Sequence, residues 1–324
     1  MLFTVAHQWR IGMVGFFTKK LVQNLQPNTP PVSTSKVVAF LNQKGGVGKT
    51  TMAFNVAHAL ARQGQKVLCL DMDPQANLSL LFGIDLAQAQ QNETSSIPGP
   101  YSVYHLLINS VRELRAMHVG ATVSDILVRG SQGVDLLPAG QELSGLELSV
   151  AAITYPRQLV LKKFLEVNQL HQQYDTIIID CPPTLGLLVV NVLCAANGVL
   201  VPFRPDEFSR KGLLHLQDML ADIEDMGLTQ APKVLGHIPN LLDPRRKQEG
   251  EDLDNILKSI REELGDSPVT SPFFNRAQLV RGLAQKKSVF DYESKEFEGL
   301  RDQFNSVAHL ITRWQEGGNH DSAN

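Results

Sequence analysis

Two kinds of apolar pattern alternate along the chain. The first is a short, mostly apolar run: Val37-Val38-Ala39-Phe40-Leu41, Val67-Leu68-Cys69-Leu70, Val134 to Pro138, Thr176 to Ile179, Gly198 to Pro202, and a stretch near 233–238. Runs of this length without polar alternation predict strands covered on both faces. The second kind repeats every three or four residues. It predicts helices over Met52 to Arg62, over Arg157 to His171 through Leu159, Val160, Phe164, Leu165 and Leu170, and near 208–226, 247–264, 276–284 and 295–315. Tyr101 to Leu107 and Val123 to Val128 read as short helices, and 268–274 as a short apolar piece. Strand and helix signals in alternation predict an α/β fold: a doubly wound, mostly parallel twisted β-sheet flanked by helices. No internal repeat is visible.

Composition bounds the picture without changing it. Of 324 residues, 43% are hydrophobic and 19% charged, which is ordinary for a globular protein. Residues 1–35 read differently. Met1 to Leu25 mixes apolar residues with Arg10, Lys19 and Lys20, and Gln26 to Ser35 is a Pro/Ser/Thr linker. This is expected to be an N-terminal extension and linker. The alternatives are an amphipathic surface helix and a later start at Met13. Arg10 breaks the apolar stretch, so a secretory signal is not expected. The main domain is expected over 36–316, with a polar tail over 317–324. The longest apolar stretch, Leu187 to Ala196, is interrupted by Asn191 and falls short of the ~18 residues of a membrane span. Cys69, Cys181 and Cys194 lie in apolar segments with no C-x-x-C pair and read as reduced core residues of a cytoplasmic protein. The net charge of −3 gives no global reason to bind nucleic acid, so any such surface must be a local patch.

The chemistry concentrates after the first strand. Lys44-Gly45-Gly46-Val47-Gly48-Lys49-Thr50-Thr51 joins an apolar run to an amphipathic segment, the strand–loop–helix context of a phosphate cradle. Glycines let consecutive N–H groups turn toward phosphate oxygens, and the following helix adds its positive end. Lys49 supplies a charge for the β- and γ-phosphates, and Thr50 a hydroxyl for Mg²⁺. Lys44 is a second lysine that an ordinary loop of this type does not need. Asp71, Asp73 and Asp180 follow predicted strands, at the sheet edge where ligands bind in open α/β folds. Asp180 suits a metal shell, with a helix N-cap before Pro182-Pro183 as the alternative. One of Asp71 and Asp73 suits the metal shell and the other the attacking water, with Asp-Pro turn chemistry as the alternative.

Three segments in order carry a resemblance. Lys44 to Thr51, Asp71-Met72-Asp73-Pro74-Gln75-Ala76-Asn77-Leu78-Ser79, and Ile177-Ile178-Ile179-Asp180-Cys181-Pro182-Pro183 resemble the ParA/Soj partition ATPases. These are P-loop NTPases of the deviant Walker A type, a group that includes MinD and the nitrogenase iron protein. The resemblance runs from about Lys36 to about Ile311. It implies ATP and Mg²⁺ as ligands, and a homodimer that closes as an ATP sandwich. By the same resemblance Lys49 is the Walker lysine, Thr50 the Mg²⁺ ligand, Asp73 the acid that orients water, and Asp71 and Asp180 surround the metal. Lys44 matches the signature lysine, which crosses to the partner's ATP. Asn240 lies where the family contacts adenine.

Partition relatives bind nonspecific DNA as ATP-bound dimers, and a ParB-like centromere-binding protein or cargo adaptor stimulates hydrolysis. The resemblance therefore implies a cytoplasmic, nucleoid-associated protein. Candidate DNA contacts are Arg210, Lys211, Arg245, Arg246, Lys247, Arg276, Arg281, Lys286 and Lys287, with ordinary solvated charges as the alternative. Ala221 and Arg281-Gly282 depart from the family pattern, which shifts the expected basic surface toward 276–287. A related use of the fold positions a protein organelle such as the carboxysome; Lys44 favours DNA partition. Membrane attachment of the MinD type needs an amphipathic basic helix at the carboxyl end, and Gly317 to Asn324 is not one, so no membrane is expected.

Overall fold

The computed structural model describes residues 36–86, 101–114, 120–241, 249–265, 267–274 and 276–317. The expected extension 1–35, most of the polar tail, and the basic cluster Arg245, Arg246 and Lys247 lie outside these residues. Seven strands form one sheet: β1 (Lys36–Phe40), β2 (Val67–Asp71), β3 (Val128–Arg129), β4 (Val134–Leu137), β5 (Thr176–Asp180), β6 (Gly198–Phe203) and β7 (Lys233–Pro239), in the order β3-β4-β2-β5-β1-β6-β7. The pairs β1/β5, β1/β6, β2/β4, β2/β5 and β6/β7 are parallel, and β3 alone runs antiparallel at one edge.

Among the described residues, the α-helices of five or more residues are α1 (Lys49–Arg62), α2 (Asn77–Leu81), α3 (Val103–Ser110), α4 (Val160–Val167), α5 (Leu187–Ala195), α6 (Glu207–Asp225), α7 (Glu249–Leu264), α8 (Ala277–Ala284) and α9 (Glu298–Gly317). Successive strand side chains point to opposite faces, so each apolar run feeds two cores. Val37, Ala39, Ile177, Ile179, Val199 and Val201 join one core with residues of α3, α4 and α5. Val38, Phe40, Ile178 and Leu200 join the other with residues of α1 and α9. The sheet is therefore doubly wound. In α9, Leu300, Phe304, Val307, Ala308 and Ile311 make the buried stripe, and each large side chain there contributes roughly 1.5–3 kcal/mol of burial.

Two local features depart from the sequence expectation, and α5 has no counterpart in it. The helix expected over 123–128 stops at Ile126, and Val128-Arg129 become β3. The chain then reverses through Gln132 and Gly133, both at positive φ, and a side chain at Gly130 would collide with the Val134 carbonyl. The single helix expected over 157–171 is broken, because Gln169 is left-handed at φ 52 and Asn168 Nδ2 bonds back to the Phe164 carbonyl at 2.9 Å. Leu187 to Ala195 forms α5 despite Asn191. That amide is buried and satisfied: it donates to the Leu187 and Arg157 carbonyls at 2.9 and 2.8 Å and accepts from the Leu161 N–H at 3.1 Å.

Candidate functional site

Register builds the site. Phe40 at the end of β1 and Asp71 at the end of β2 both pair with Asp180 at the end of β5. The connection after β1 runs toward β2, while the one after β5 runs toward β6, so these neighbouring strands lead to opposite sides. Ligands of open α/β sheets bind at the carboxyl ends of such strands.

The loop after β1 turns through Gly46 (φ 72) and Gly48 (φ 92), left-handed conformations that favour glycine. Gly48 has a second reason to lack a side chain, since a Cβ there would collide with Asn240 Nδ2. Helix α1 begins immediately, and Met52 N–H bonds to the Gly48 carbonyl at 2.9 Å. Beyond the end of β1, Asn42 fastens the loop. Its Nδ2 donates to the Pro202 carbonyl of β6 at 2.9 Å, and its Oδ1 accepts from the Lys44 N–H at 2.8 Å. Just beyond β7, Asn240 Nδ2 donates to the Val47 carbonyl at 2.8 Å. The residue expected at adenine thus also grips the phosphate loop.

The two lysines occupy different settings. Lys49 is buried, 7% exposed, and its Nζ reaches the Lys44 carbonyl at 3.4 Å. Burial lowers its pKa from the ordinary lysine value, against the pull of Asp180, Cys181 and Asp73. Lys44 reaches outward to Asp206, Nζ to Oδ2 at 2.6 Å, with both side chains about one-third exposed.

The three carboxylates also differ. Thr50 Oγ1 donates to Asp180 Oδ2 at 2.6 Å, while Asp180 Oδ1 is buried with no hydrogen-bond partner. Burial and the charge of Asp71 hold the Asp180 carboxyl well above the usual carboxylate range, against Thr50 and Lys49. Its helix-cap alternative is excluded, because the next helix begins at Leu187 after Gly186. Asp71 is pushed up to about 7 by burial, opposed by its hydrogen bonds to Ser79 and Asp73. Its Oδ2 accepts from Ser79 N–H and Oγ at 2.8 and 2.7 Å, and its Oδ1 from Asp73 N–H at 3.2 Å. Ser79 Oγ in turn accepts from Ala139 N–H at 3.0 Å, tying α2 to the end of β4. Asp73 is buried and also makes the expected turn, with Oδ1 accepting from Gln75 N–H at 3.0 Å.

This donor set fits Mg²⁺ carried by a nucleotide. Among the described residues no group of three His, Cys, Asp or Glu could hold a metal by itself. Mg²⁺ bound with phosphates needs only one or two protein oxygens. The orphaned Asp180 Oδ1 beside Thr50 offers such a place, whereas both oxygens of Asp71 already accept hydrogen bonds. Cys69, Cys181 and Cys194 are buried and free.

Nothing in the sequence assigns a role to Asn42, Ser79 or Asp206. Ser79 lies in the segment Asp71 to Ser79 that carries the resemblance, and Asp206 in the connection after β6. Neither carried a spacing that announced its partner.

The basic candidates are scattered. Arg210 and Lys211 lie in the first turns of α6. Arg276 precedes α8, with Nη1 3.1 Å from where a Cβ on Gly299 would stand. Arg281 pairs with Glu296 and lies over the Phe297 ring at 5.4 Å. Phe297 stacks on Tyr292 at 4.2 Å, and Lys287 Nζ lies 5.9 Å from the Tyr292 ring centre. Lys286 and Lys287 are exposed, and Lys286 is left-handed at φ 55. No helix among the described residues is long and apolar enough to cross a membrane.

A parallel sheet with a glycine loop at the switch point, a buried lysine and a Thr–Asp pair define a P-loop nucleotide-binding protein. A family profile described as an AAA domain matches residues 35–231, more than half of the chain. The chromosome-partitioning ATPase Soj of Treponema pallidum is 34% identical over 283 residues, 86% of this chain and 98% of that protein. The chromosome partitioning protein ParA of Caulobacter vibrioides is 32% identical over 261 residues, 80% of this chain and 88% of that one. Among solved structures, a cobyrinic acid a,c-diamide synthase from Mycobacterium smegmatis with bound ADP and magnesium superposes with a TM-score of 0.66 at 29% identity, covering 87% of this chain and 96% of that one. The chain belongs to the ParA/Soj family of P-loop partition ATPases.

Proposed function

We propose that this chain hydrolyses ATP to ADP and phosphate, and that binding of ATP closes two copies face to face around two nucleotides. The closed dimer binds DNA through phosphate contacts without sequence preference, which associates it with the nucleoid. A ParB-like centromere-binding protein or cargo adaptor stimulates the slow hydrolysis and releases it, so that a plasmid or chromosome is segregated. The observation that carries this reading is the contrast within one loop: Lys49 faces inward and buried, while Lys44 reaches out to the surface. One active site needs the first lysine only, and a shared site needs both. The sequence relatives favour partition over the amide synthesis named for the solved neighbour, since they are 34% and 32% identical against its 29%.

In this reading Gly45, Gly46, Val47, Gly48 and Thr51 cradle phosphates through the loop, and Asn240 holds the loop beside the base. Thr50 and Asp180 hold Mg²⁺, with Asp71 fixing Asp73 and α2 behind them. Bound Mg²⁺ would neutralise charge on the β- and γ-phosphate oxygens. Asp73 orients the attacking water, and Lys49 in cis with Lys44 in trans stabilises the charge that develops on transfer.

The test is DNA retention by the Asp73→Ala chain across a salt series. ATP-dependent binding that weakens steeply with salt, together with absent phosphate release, is the expected result. Binding that ignores ATP would remove the central claim.

A further inference from the structure

The Lys44–Asp206 contact joins two loops that the sheet itself brings together. β1 and β6 are parallel neighbours, with Phe40 opposite Leu200. Lys44 lies four residues beyond the end of β1, and Asp206 three beyond the end of β6. Asn42 spans the same gap, bonded to the Pro202 carbonyl on one side and to the Lys44 N–H on the other. The Lys44 backbone is thus fixed against β6, and its side chain is directed at a carboxylate of its own subunit. Lys44 cannot keep that ion pair and also deliver its charge to a phosphate in a second subunit.

We infer that Asp206 is a positioning residue that parks Lys44 within its own chain, and that release of this pair is a step in closing the dimer. The inference rests on the proposed ATP sandwich. The latch is weak enough to open. Both side chains are about one-third exposed, and ion pairs at such positions shift an equilibrium by roughly two- to fivefold. Asp206 also has somewhere to go. It immediately precedes α6, whose first N–H groups and positive end accept a carboxylate. Two latches open for each closed pair, so the effect on the dimer is the square, roughly four- to twenty-fivefold. Parking keeps Lys44 ordered and near the loop, while opposing closure until nucleotide supplies the competing charge.

Asp206→Asn removes the charge and keeps the capping ability, since Asn and Asp cap helices about equally well. Dimerisation of the full chain is measured by sedimentation equilibrium with Mg²⁺ and a non-hydrolysable ATP analogue. The expected result is a dimer tighter by about tenfold in D206N, and the same in Asp206→Ser, a second charge-free capping residue. Asp206→Glu keeps the charge and is expected to restore weaker pairing. In the Lys44→Ala background the Asp206 substitution should have no effect, because nothing is left to park. A merely structural role at the start of α6 would survive loss of Lys44. An unchanged or weaker dimer in both D206N and D206S, or an equal effect with and without Lys44, overturns the inference and leaves the ATP sandwich standing. A wild-type chain that stays monomeric with the analogue overturns both.

Discussion

The phosphate loop and the basic surface around α8 are the two functional regions the sequence points to, and they are built differently. The loop is over-determined: two strand ends, Asn42, Asn240 and two left-handed glycines fix its path. The surface near α8 rests on long side chains with few fixed partners. Arg281 is already paired with Glu296, Lys287 Nζ lies near the Tyr292 ring, and Lys286 is exposed. A function that needs sub-ångström aim sits on backbone and short polar groups. A function that needs only positive charge tolerates loose placement.

The largest effect belongs to the loop. Lys44→Ala should leave ATP binding within a few-fold of normal and lower partner-stimulated turnover by about 10³-fold, the scale of an arginine finger. Turnover that survives unchanged would break the idea of a shared site. Gly48→Ala attacks the same region through shape. It combines strain at φ 92 with a collision at Asn240 Nδ2, and ATP affinity should fall by roughly 100-fold. Nucleotide titration separates the two, since only the glycine variant loses binding.

The difference between the regions also explains what was legible. Strands with both faces buried leave few polar interruptions, Asp135 in β4 and His237 in β7 among them, so β1, β2, β4, β5, β6 and β7 could be read from largely apolar runs. The phosphate loop could be read because glycines at fixed spacing have a backbone reason. β3 could not, because two residues carry no period and a glycine turn decided the reversal. Nor could the pairing of Asp71 with Ser79, which depends on how the turn after β2 leads into α2, or of Lys44 with Asp206, which depends on the pairing of two strands far apart in sequence. The sequence places Thr50, Asp71 and Asp180 around the metal. Asp71 and Asp180 are neighbours across β2 and β5 but differ in hydrogen bonding, with one oxygen of Asp180 orphaned and both oxygens of Asp71 occupied, a difference no spacing announces.

Acid should undo the support of the second region before that of the first. His237 in β7 is buried, and its N–H and ring face the Pro268 carbonyl at 2.8 and 3.4 Å. Thr270 N–H bonds to its carbonyl at 2.9 Å, so β7 holds the segment that leads into α8. Burial lowers the pKa of His237 from 6.5 to about 4. The neutral ring is favoured when folded, so its contribution is full above pH 6.5 and is lost as pH falls toward 4. The total is on the order of 3 kcal/mol. Asp71, pushed up to about 7, acts in the opposite sense, so the informative quantity is the difference from His237→Gln. Urea unfolding at pH 7.5, 6.0 and 5.0 should show that difference shrinking with acid. A constant difference would show that the ring does not titrate with unfolding.

The smallest effects belong to the basic residues, and they sharpen the comparison most. If the α8 surface meets DNA phosphates, Lys286→Ala and Lys287→Ala should each reduce the salt slope of DNA binding by about one. Arg281 is committed to Glu296 and to the ring of Phe297, so Arg281→Ala should change DNA affinity less than twofold, an exposed pair being worth little either way. Its visible consequence should instead be a small loss of stability, because the guanidinium covers the Phe297–Tyr292 stack. Filter binding across a salt series, set beside thermal melts, distinguishes the two. An Arg281 variant that loses as much DNA affinity as Lys286→Ala would mean that the ion pair opens on DNA, and that this surface is more finely built than its side chains suggest.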